Sequence, residues 1–183
     1  VALSYDAPNN AGDQPFGTAP STHIVKQSHV RLSGIVVNAL LCLHPAKKCG
    51  IDVPDCFILD TGGVADENIL FATARYDRPF TAESRMIDGL PRPQRLHQED
   101  FAQALGIPAA EKYEPTDGMY LKNAFALLKH RSANPLEDQL KLWDLTVFNF
   151  LIGNTDNHLK NLSLLYDASL ASVRLAPAYD VIS

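Results

Sequence analysis

Gly153-Asn-Thr-Asp-Asn-His-Leu-Lys-Asn161 is a run of mostly polar residues that separates a segment with helical periodicity from segments with the composition of strands. Before it, apolar residues recur at helical spacing over residues 136–152, and Gly153 is a natural residue to follow the end of that helix. After it, residues 162–166 and 173–175 have the composition of two short strands. Polar side chains concentrated between an apolar helix and a strand indicate a functional loop.

The spacing within this loop indicates phosphoryl-transfer chemistry. Asp156 and Asn161 are five positions apart, and Asp180 follows nineteen residues later. A protein-kinase catalytic loop has this D-x4-N spacing, in which Asp accepts the substrate hydroxyl proton and Asn binds a metal ion. Asn and Asp oxygens are ligands that Mg²⁺ favours together with nucleotide phosphates. Lys26, at the end of a β-type run, suits a lysine that pairs with those phosphates.

The remainder of the chain is β-rich at its start and helical towards its end. Strands are predicted at residues 22–26, 56–60 and 68–76, with a helix over 32–44 that Pro45 is expected to end or kink. Residues 79–95 contain three prolines and are typical of a long connection. We therefore predict an α+β, protein-kinase-like two-lobe fold, partial in extent. Its small β-rich lobe would cover residues 1–78, and its mainly helical lobe residues 79–183.

Helical periodicity also predicts which side chains are buried. The helix over residues 136–152 is expected to bury one apolar stripe, formed by Leu136, Leu140, Trp143, Val147, Phe150 and Leu151. Trp143 and Phe148 are interpreted as core residues rather than as side chains that stack on a ligand. A second stripe is expected over residues 35–43, with Cys42 buried and unpaired.

Composition excludes several classes of protein. The chain has 16 Lys and Arg against 21 Asp and Glu, a net charge of −5, so direct nucleic-acid binding is not expected. Its apolar runs reach only five residues, so no membrane span is expected. The first residues do not resemble a signal peptide, and the three cysteines form no CxxC pair. These features favour a cytoplasmic protein with reduced thiols.

Two segments carry a resemblance to a known family. Leu151-Ile-Gly-Asn-Thr-Asp-Asn-His-Leu-Lys-Asn161, followed by Leu175-Ala-Pro-Ala-Tyr-Asp-Val-Ile-Ser183, resembles the C-terminal kinase region of HipA-type toxins. The resemblance continues upstream through residues 21–26, 50–54, 74–78 and 96–101. It therefore covers nearly the whole chain.

The resemblance implies a protein serine/threonine kinase of a bacterial toxin–antitoxin module that uses ATP and Mg²⁺. Its substrate would be a protein of the translation machinery, such as an aminoacyl-tRNA synthetase, and its partner a helix-turn-helix antitoxin. Asp156 would be the catalytic aspartate, with His158 acting near it, and Asn161 and Asp180 would bind the metal. The ATP-binding residues would be Lys26, Arg75, Tyr76, Asp77, Lys160 and Tyr179.

The sequence also departs from the family. Similar proteins have a glycine-containing loop just before the segment Val1-Ala-Leu3, have Glu where Ala39 stands here, and continue beyond Ser183. A fragment, or the product of a shortened gene, with reduced activity is therefore expected.

Two alternatives to an active kinase stay open. The first is a catalytically impaired kinase-like module that binds an antitoxin or a partner subunit. The second is a metal-dependent hydrolase built on Asp156, His158 and Asp180, although no second histidine completes a ligand pair. Outside this motif, His158 would be interpreted as a structural histidine, whereas within it a role near Asp156 is favoured. Lys160 is equally interpretable as a residue that orients phosphates or as one that caps the loop.

Overall fold

The computed structural model describes residues 1–6, 11–17, 19–29, 31–63, 65–81, 84–87, 90–116 and 118–183. The chain divides into two compact units. The first unit comprises Val1–Leu41 and Pro54–Arg95, and the second comprises Cys42–Val53 and Leu96–Ser183. The division into functional lobes at residue 78 stays a prediction.

The first unit is built on a five-stranded antiparallel sheet with the order β2-β1-β3-β5-β4. Its strands are β1 (Ala2–Asp6), β2 (Ala11–Asp13), β3 (His23–Gln27), β4 (Cys56–Asp60) and β5 (Ile69–Ala74). The rings of Tyr5, His23 and Phe57 pack together, with centroids 5.1–5.8 Å apart. This cluster joins β1, β3 and β4. A short antiparallel pair, β6 (Met86–Ile87) and β7 (Leu90–Pro91), follows the sheet along the chain.

Helix α1 (Ile35–Lys48) extends beyond the predicted end because it continues through Pro45. Proline removes one helical hydrogen bond, which favours a helix end before it. Here the final turn is held by other bonds, since Cys49 N donates to the Pro45 carbonyl and Ile51 N to the Ala46 carbonyl. Cys42 is buried, as predicted, and is not part of a disulfide.

In the described residues, the second unit combines a three-stranded antiparallel sheet with the end of α1 and three further α-helices. The sheet has the order β10-β9-β8, formed by β8 (Gln98–Asp100), β9 (Ser163–Tyr166) and β10 (Val173–Leu175). The helices are α2 (Phe101–Ala104), α3 (Tyr120–Arg131) and α4 (Pro135–Ile152). The fully buried side chains of Phe101, Leu128, Leu142 and Leu164 form the centre of this unit's core. Among the helices of the described residues, none has both the length and the apolar character that a membrane span requires.

Helix α4 buries a different face from the predicted one. The side chains predicted to be buried are instead 38–83% exposed: Leu136, Leu140, Trp143, Val147, Phe150 and Leu151. We call these six residues the exposed face of α4. The buried residues are Asp138, Leu142, Leu145 and Asn149, which lie on the opposite side at 100° per residue. The prediction was wrong because α4 has apolar residues on both sides, and its buried side includes two polar ones.

The buried polar residue Asp138 connects α4 to β10. Its carboxylate accepts hydrogen bonds from the Ser132 hydroxyl, the Arg174 guanidinium and the Leu175 main-chain N–H. Burial alone would raise the pKa of Asp138, but these hydrogen bonds, with that of Arg174 the largest, hold it below its usual value. A carboxylate with several donors can therefore occupy a position usually filled by an apolar side chain.

Candidate functional site

The polar loop begins where Gly153 ends helix α4 in the left-handed conformation, with φ of 73°. The next residue, Asn154, attaches the loop to the helix because its Nδ2 donates to Oδ1 of the buried Asn149 across 3.0 Å. The Oδ1 of Asn154 accepts from the main-chain N–H of Asp156 at 3.1 Å. Asn149 and Asn154 thus fix the backbone position of Asp156.

Asp156 and Asn161 are in direct contact. The Nδ2 of Asn161 donates to the main-chain oxygen of Asp156 across 2.9 Å, and a 3₁₀ turn over Leu159–Asn161 brings the two residues together. The carboxylate of Asp156 remains 44% exposed. The loop therefore has a fixed backbone and an accessible carboxylate.

His158 is buried below the loop, with only 6% of its side chain exposed. Its Nε2 lies 2.8 Å from Nζ of Lys112 and 3.8 Å from Oδ1 of Asp156. A lysine ammonium can only donate, so Nε2 accepts and the ring proton resides on Nδ1. In the described part of the chain, that buried Nδ1 has no hydrogen-bond partner. His158 is therefore arranged as a hydrogen-bond acceptor for Lys112.

Tyr113 also reaches the loop, although no pattern in the sequence predicts this contact. Its hydroxyl donates to Oδ1 of Asp156 across 2.6 Å, and its ring packs edge-on against His158 with centroids 5.1 Å apart. Lys112 and Tyr113 lie in a non-periodic polar segment more than forty residues before the loop. Only the fold brings the two segments together.

Lys160 and Tyr179 are linked at the base of the same loop. Nζ of Lys160 pairs with Asp100 across 2.6 Å, and the Tyr179 hydroxyl donates to the Lys160 main-chain oxygen across 2.8 Å. The Tyr179 oxygen also lies 2.6 Å from Oγ of Ser163. Burial, opposed by the Ser163 bond and reinforced by the charges of Asp180 and Asp100, raises the pKa of Tyr179 to about 12. Its phenol therefore stays protonated at neutral pH.

Asp180 adopts a left-handed backbone conformation, with φ of 55°. Few residues other than glycine adopt this region, although Asp does so more readily than most. The buried side chains of Ala178 and Val181 hold the chain on either side of it. An unusual backbone conformation kept in place by its surroundings is often found at functional sites.

The donor set of Asn161 and Asp180 fits Mg²⁺ chemically. The Nδ2 of Asn161 donates to the Asp156 carbonyl, so the Oδ1 of Asn161 does not face that carbonyl. Asp180 supplies a carboxylate. The described residues contain no cluster of three or more His, Cys, Asp or Glu side chains suited to a metal ion. Mg²⁺ is typically held by one or two protein ligands together with waters and phosphates, so a large cluster is not required.

The remaining predicted residues belong to the first unit. Lys26 is exposed on β3, opposite Phe71 of β5. Arg75 follows β5 and binds both oxygens of Asp77 through Nε and Nη2, at 3.0 and 2.7 Å, while Nη1 reaches Ser21. These bonds hold the predicted hinge of Arg75, Tyr76 and Asp77 in one conformation.

The predicted site residues therefore fall into two groups. The second unit brings together Asp156, His158, Lys160, Asn161, Tyr179 and Asp180 in and around one loop, and the first unit contains Lys26, Arg75, Tyr76 and Asp77. The roles assigned to them stay predictions.

Comparison with known families identifies the chain. The HipA-like C-terminal domain matches residues 2–183. The chain belongs to this family. It is 37% identical over 169 residues to Y4mE of Sinorhizobium fredii, an inferred kinase, covering 92% of this chain and 37% of that protein. It is 30% identical over 178 residues to the serine/threonine-protein kinase toxin HipA of Shewanella oneidensis, covering 91% and 38% of the two chains.

Solved structures agree with the fold of this family. HipA of Shewanella oneidensis, determined with HipB and its operator DNA, matches with a TM-score of 0.78 and 28% identity over 100% of this chain and 42% of its own. The Helicobacter pylori kinase CtkA matches with a TM-score of 0.59 at 17% identity, covering 87% of this chain and 50% of its own. The fold is therefore α+β and protein-kinase-like, and the chain spans less than half the length of the HipA relatives.

Proposed function

We propose that this chain is the catalytic part of a HipA-like serine/threonine protein kinase that transfers the γ-phosphate of ATP to a protein of the translation machinery. The observation that carries the proposal is the Asp156–Asn161 loop. Its backbone is fixed by hydrogen bonds, while the Asp156 carboxylate remains accessible. A kinase needs an accessible carboxylate in a fixed position to accept the proton of the acceptor hydroxyl.

The residues around Asp156 have positioning roles in this proposal. His158 accepts from Lys112 and thereby holds a positive charge near the loop. Lys160, paired with Asp100, and the protonated Tyr179 below it stabilise the other end of the loop.

The resemblance assigns nucleotide binding to six residues. Lys26 would pair with ATP phosphates, and Arg75, Tyr76 and Asp77 would lie beside adenine and ribose. Lys160 and Tyr179 are assigned to the nucleotide by the same resemblance. Asn161 and Asp180 would hold Mg²⁺, which neutralises phosphate charge when it is bound.

The partner assignment rests on the solved relative. HipA of Shewanella oneidensis was determined with HipB and its operator DNA. We infer that the protein containing this chain acts in the cytoplasm together with an antitoxin. The antitoxin, rather than this chain, would bind DNA. The net charge of −5 is unfavourable for direct contact with nucleic acid by the chain itself.

The test is a radiolabel transfer assay with γ-labelled ATP, Mg²⁺ and a panel of bacterial aminoacyl-tRNA synthetases as acceptors. We expect Asp156→Asn to lower the transfer rate by about 10²–10⁴-fold, the usual contribution of a general base. Asp144→Asn is the matched control, because Asp144 is an exposed aspartate on α4 outside the loop. It should leave the rate unchanged.

The outcomes distinguish the kinase from its alternative. Transfer that depends on Asp156 but is restricted to another class of protein would contradict the substrate assignment alone. Absence of transfer, together with stable binding of the chain to an antitoxin, would contradict the kinase and favour a non-catalytic binding module. Equal rates for Asp156→Asn and Asp144→Asn would contradict the role of Asp156.

A further inference from the structure

The carboxylate of Asp156 is held by one side chain, that of Tyr113. The Tyr113 hydroxyl donates to Oδ1 across 2.6 Å, and among the described residues no other hydrogen bond reaches this carboxylate. Nε2 of His158 is 3.8 Å from Oδ1, which is too far for a hydrogen bond. The bonds of Asn154 and Asn161 fix the main chain of Asp156, and neither constrains the torsion of its carboxylate. Tyr113 therefore determines how the carboxylate is turned.

Burial does not explain this hydrogen bond. Tyr113 is 52% exposed and the Asp156 side chain 44%, so water could satisfy both groups. A hydrogen bond between exposed groups adds little net stability, because it replaces bonds to water. The torsion that turns a carboxylate is broad when no partner restricts it. The bond therefore affects the direction of the carboxylate more than the stability of the fold.

The segment that carries Tyr113 is attached to the start of helix α3. The N–H of Tyr120, the first residue of that helix, donates to Glu114 Oε1 at 2.7 Å. The Tyr120 hydroxyl donates to the Glu111 main-chain oxygen at 3.0 Å. Tyr113 lies between these two attached residues, so its backbone has a fixed position beside α3.

The Tyr113 ring is also held by two side chains. His158 packs edge-on against it with centroids 5.1 Å apart, and Nζ of Lys112 lies 4.8 Å from the ring centroid. The same Nζ is bonded to Nε2 of the buried His158. A tyrosine has only two side-chain torsions, so these contacts are sufficient to direct its hydroxyl. The direction of the phenol is thus set by Lys112 and His158, and the phenol in turn directs Asp156.

We propose that Tyr113 is a positioning residue for phosphoryl transfer, which occupies Oδ1 of Asp156 and thereby directs Oδ2 towards the acceptor hydroxyl. This inference rests on the proposed function, in which Asp156 is the general base. The proton of the acceptor hydroxyl passes to Oδ2 as its oxygen forms a bond to the γ-phosphorus. The bond from that phosphorus to the bridging oxygen of ADP breaks, and Asp156 later releases the proton to water.

The advantage of a fixed carboxylate is geometric. A general base must lie within roughly 2.6–3.2 Å of the group whose proton it removes. A carboxylate that turns freely spends only part of its time in the productive direction, and small errors of placement lower reaction rates strongly. Loss of the Tyr113 hydroxyl should therefore slow the chemical step without weakening the binding of either substrate.

The experiment measures kcat, and KM for ATP and for the protein acceptor, in the radiolabel transfer assay with wild type and Tyr113→Phe. The substitution removes the hydroxyl and keeps the ring that packs on His158. We expect kcat to fall about 10- to 100-fold with both KM values unchanged, because the hydroxyl contacts Asp156 rather than a substrate. Tyr166→Phe is the matched control, since the Tyr166 hydroxyl also donates to a carboxylate, that of Glu99 at 2.8 Å. It should leave kcat unchanged.

A double variant shows whether Tyr113 acts through Asp156. In the Asp156→Asn background no base remains to be positioned, so Tyr113→Phe should cause no further loss of rate. A role of Tyr113 in the structure alone would give equal fold-losses in the two backgrounds. Thermal unfolding of Tyr113→Phe should have nearly the wild-type midpoint, because the lost bond joins exposed groups.

Each other result has a definite meaning. A wild-type kcat in Tyr113→Phe, or a raised KM with kcat unchanged, overturns this inference and leaves the proposed function intact. Equal fold-losses in the two backgrounds, or a lowered unfolding midpoint that accompanies the loss of kcat, overturn it in the same way. Absence of transfer by the wild-type chain overturns both the inference and the proposed function.

Discussion

Asp138 and Arg174 form an ion pair whose two members differ in burial. Asp138 is fully buried, whereas the Arg174 side chain is 38% exposed. If the arginine is removed, the carboxylate loses its main partner inside the protein. If the aspartate is neutralised, the guanidinium can turn to water. The structure therefore predicts unequal costs for the two substitutions.

We expect Arg174→Met to lower the free energy of unfolding by about 3 kcal/mol, because an unpaired buried charge is left behind. Asp138→Asn should cost less than Arg174→Met. Urea denaturation at neutral pH measures both. Glu137→Gln is the control, since Glu137 also contacts Arg174 but is solvent-accessible, and it should leave the midpoint unchanged. Equal losses for Arg174→Met and Glu137→Gln would contradict the assigned role of the buried pair.

The same pair predicts how stability depends on pH. The pKa of Asp138 lies below its unfolded value, so its contribution is present above pH about 4 and is lost as the pH falls through the folded pKa. In Arg174→Met the pKa should instead be raised by burial, and the variant should lose stability as the pH rises through that value. Denaturation midpoints measured from pH 3 to 7 should therefore slope in opposite directions for the two proteins.

At the scale of single elements, Gly153 connects α4 to the polar loop that contains Asp156. Its φ of 73° is unfavourable for residues with a side chain, although a Cβ there would meet no atom within 4 Å. We expect Gly153→Ala to lower the free energy of unfolding by about 1 kcal/mol through backbone strain alone. Gly153→Asn should cost less, because Asn tolerates this conformation better. Thermal unfolding of the wild type and the two variants measures these differences in stability. Equal stability of wild type and Gly153→Ala would contradict the predicted backbone strain.

Helix α4 shows what the sequence could and could not predict. Its bounds followed from apolar periodicity and from Gly153, and the structure has the helix over Pro135–Ile152. The buried face of α4 could not be predicted from periodicity, because Asp138 and Asn149 are polar. They are buried together with hydrogen-bond partners that lie outside the helix. Periodicity detects apolar residues, and it cannot detect a buried carboxylate whose charged partner, Arg174, lies 36 residues away.

The candidate site also contains residues that the sequence predicts and residues that it does not. The loop residues Asp156 and Asn161 were found because their spacing is local and their chemistry is specific. Lys112 and Tyr113 were missed because their contacts with the loop depend on the fold of the whole second unit. The sequence thus predicts residues that act at fixed spacing better than residues brought together by tertiary structure.

At the scale of the whole molecule, the exposed face of α4 is an apolar surface on a chain that spans less than half of its HipA relatives. Trp143, the single tryptophan, lies on this face and is 55% exposed. We expect acrylamide to quench its fluorescence almost as efficiently in the folded chain as in urea. Strong protection from the quencher in the folded chain would contradict this exposure.

A pair of variants tests the two faces of α4 separately. Leu140→Lys lies on the exposed face and should leave stability nearly unchanged while reducing binding of the apolar dye ANS. Leu142→Ala, two positions away on the buried face, should cost about 2–5 kcal/mol. Dye titration and chemical denaturation provide the two readouts. A larger loss of stability for Leu140→Lys than for Leu142→Ala would contradict the observed orientation of the helix.

The discontinuous second unit has a consequence for synthesis on the ribosome. Residues 42–53 include the buried Leu43, Ala46, Ile51 and Val53, and the Asp52 carbonyl accepts a hydrogen bond from Ala178 N near the end of the chain. These residues leave the exit tunnel more than a hundred positions ahead of that partner. During translation the first unit can close its sheet, whereas this apolar segment stays exposed until residues 96–183 have emerged. It is therefore a segment that a chaperone can protect during that interval.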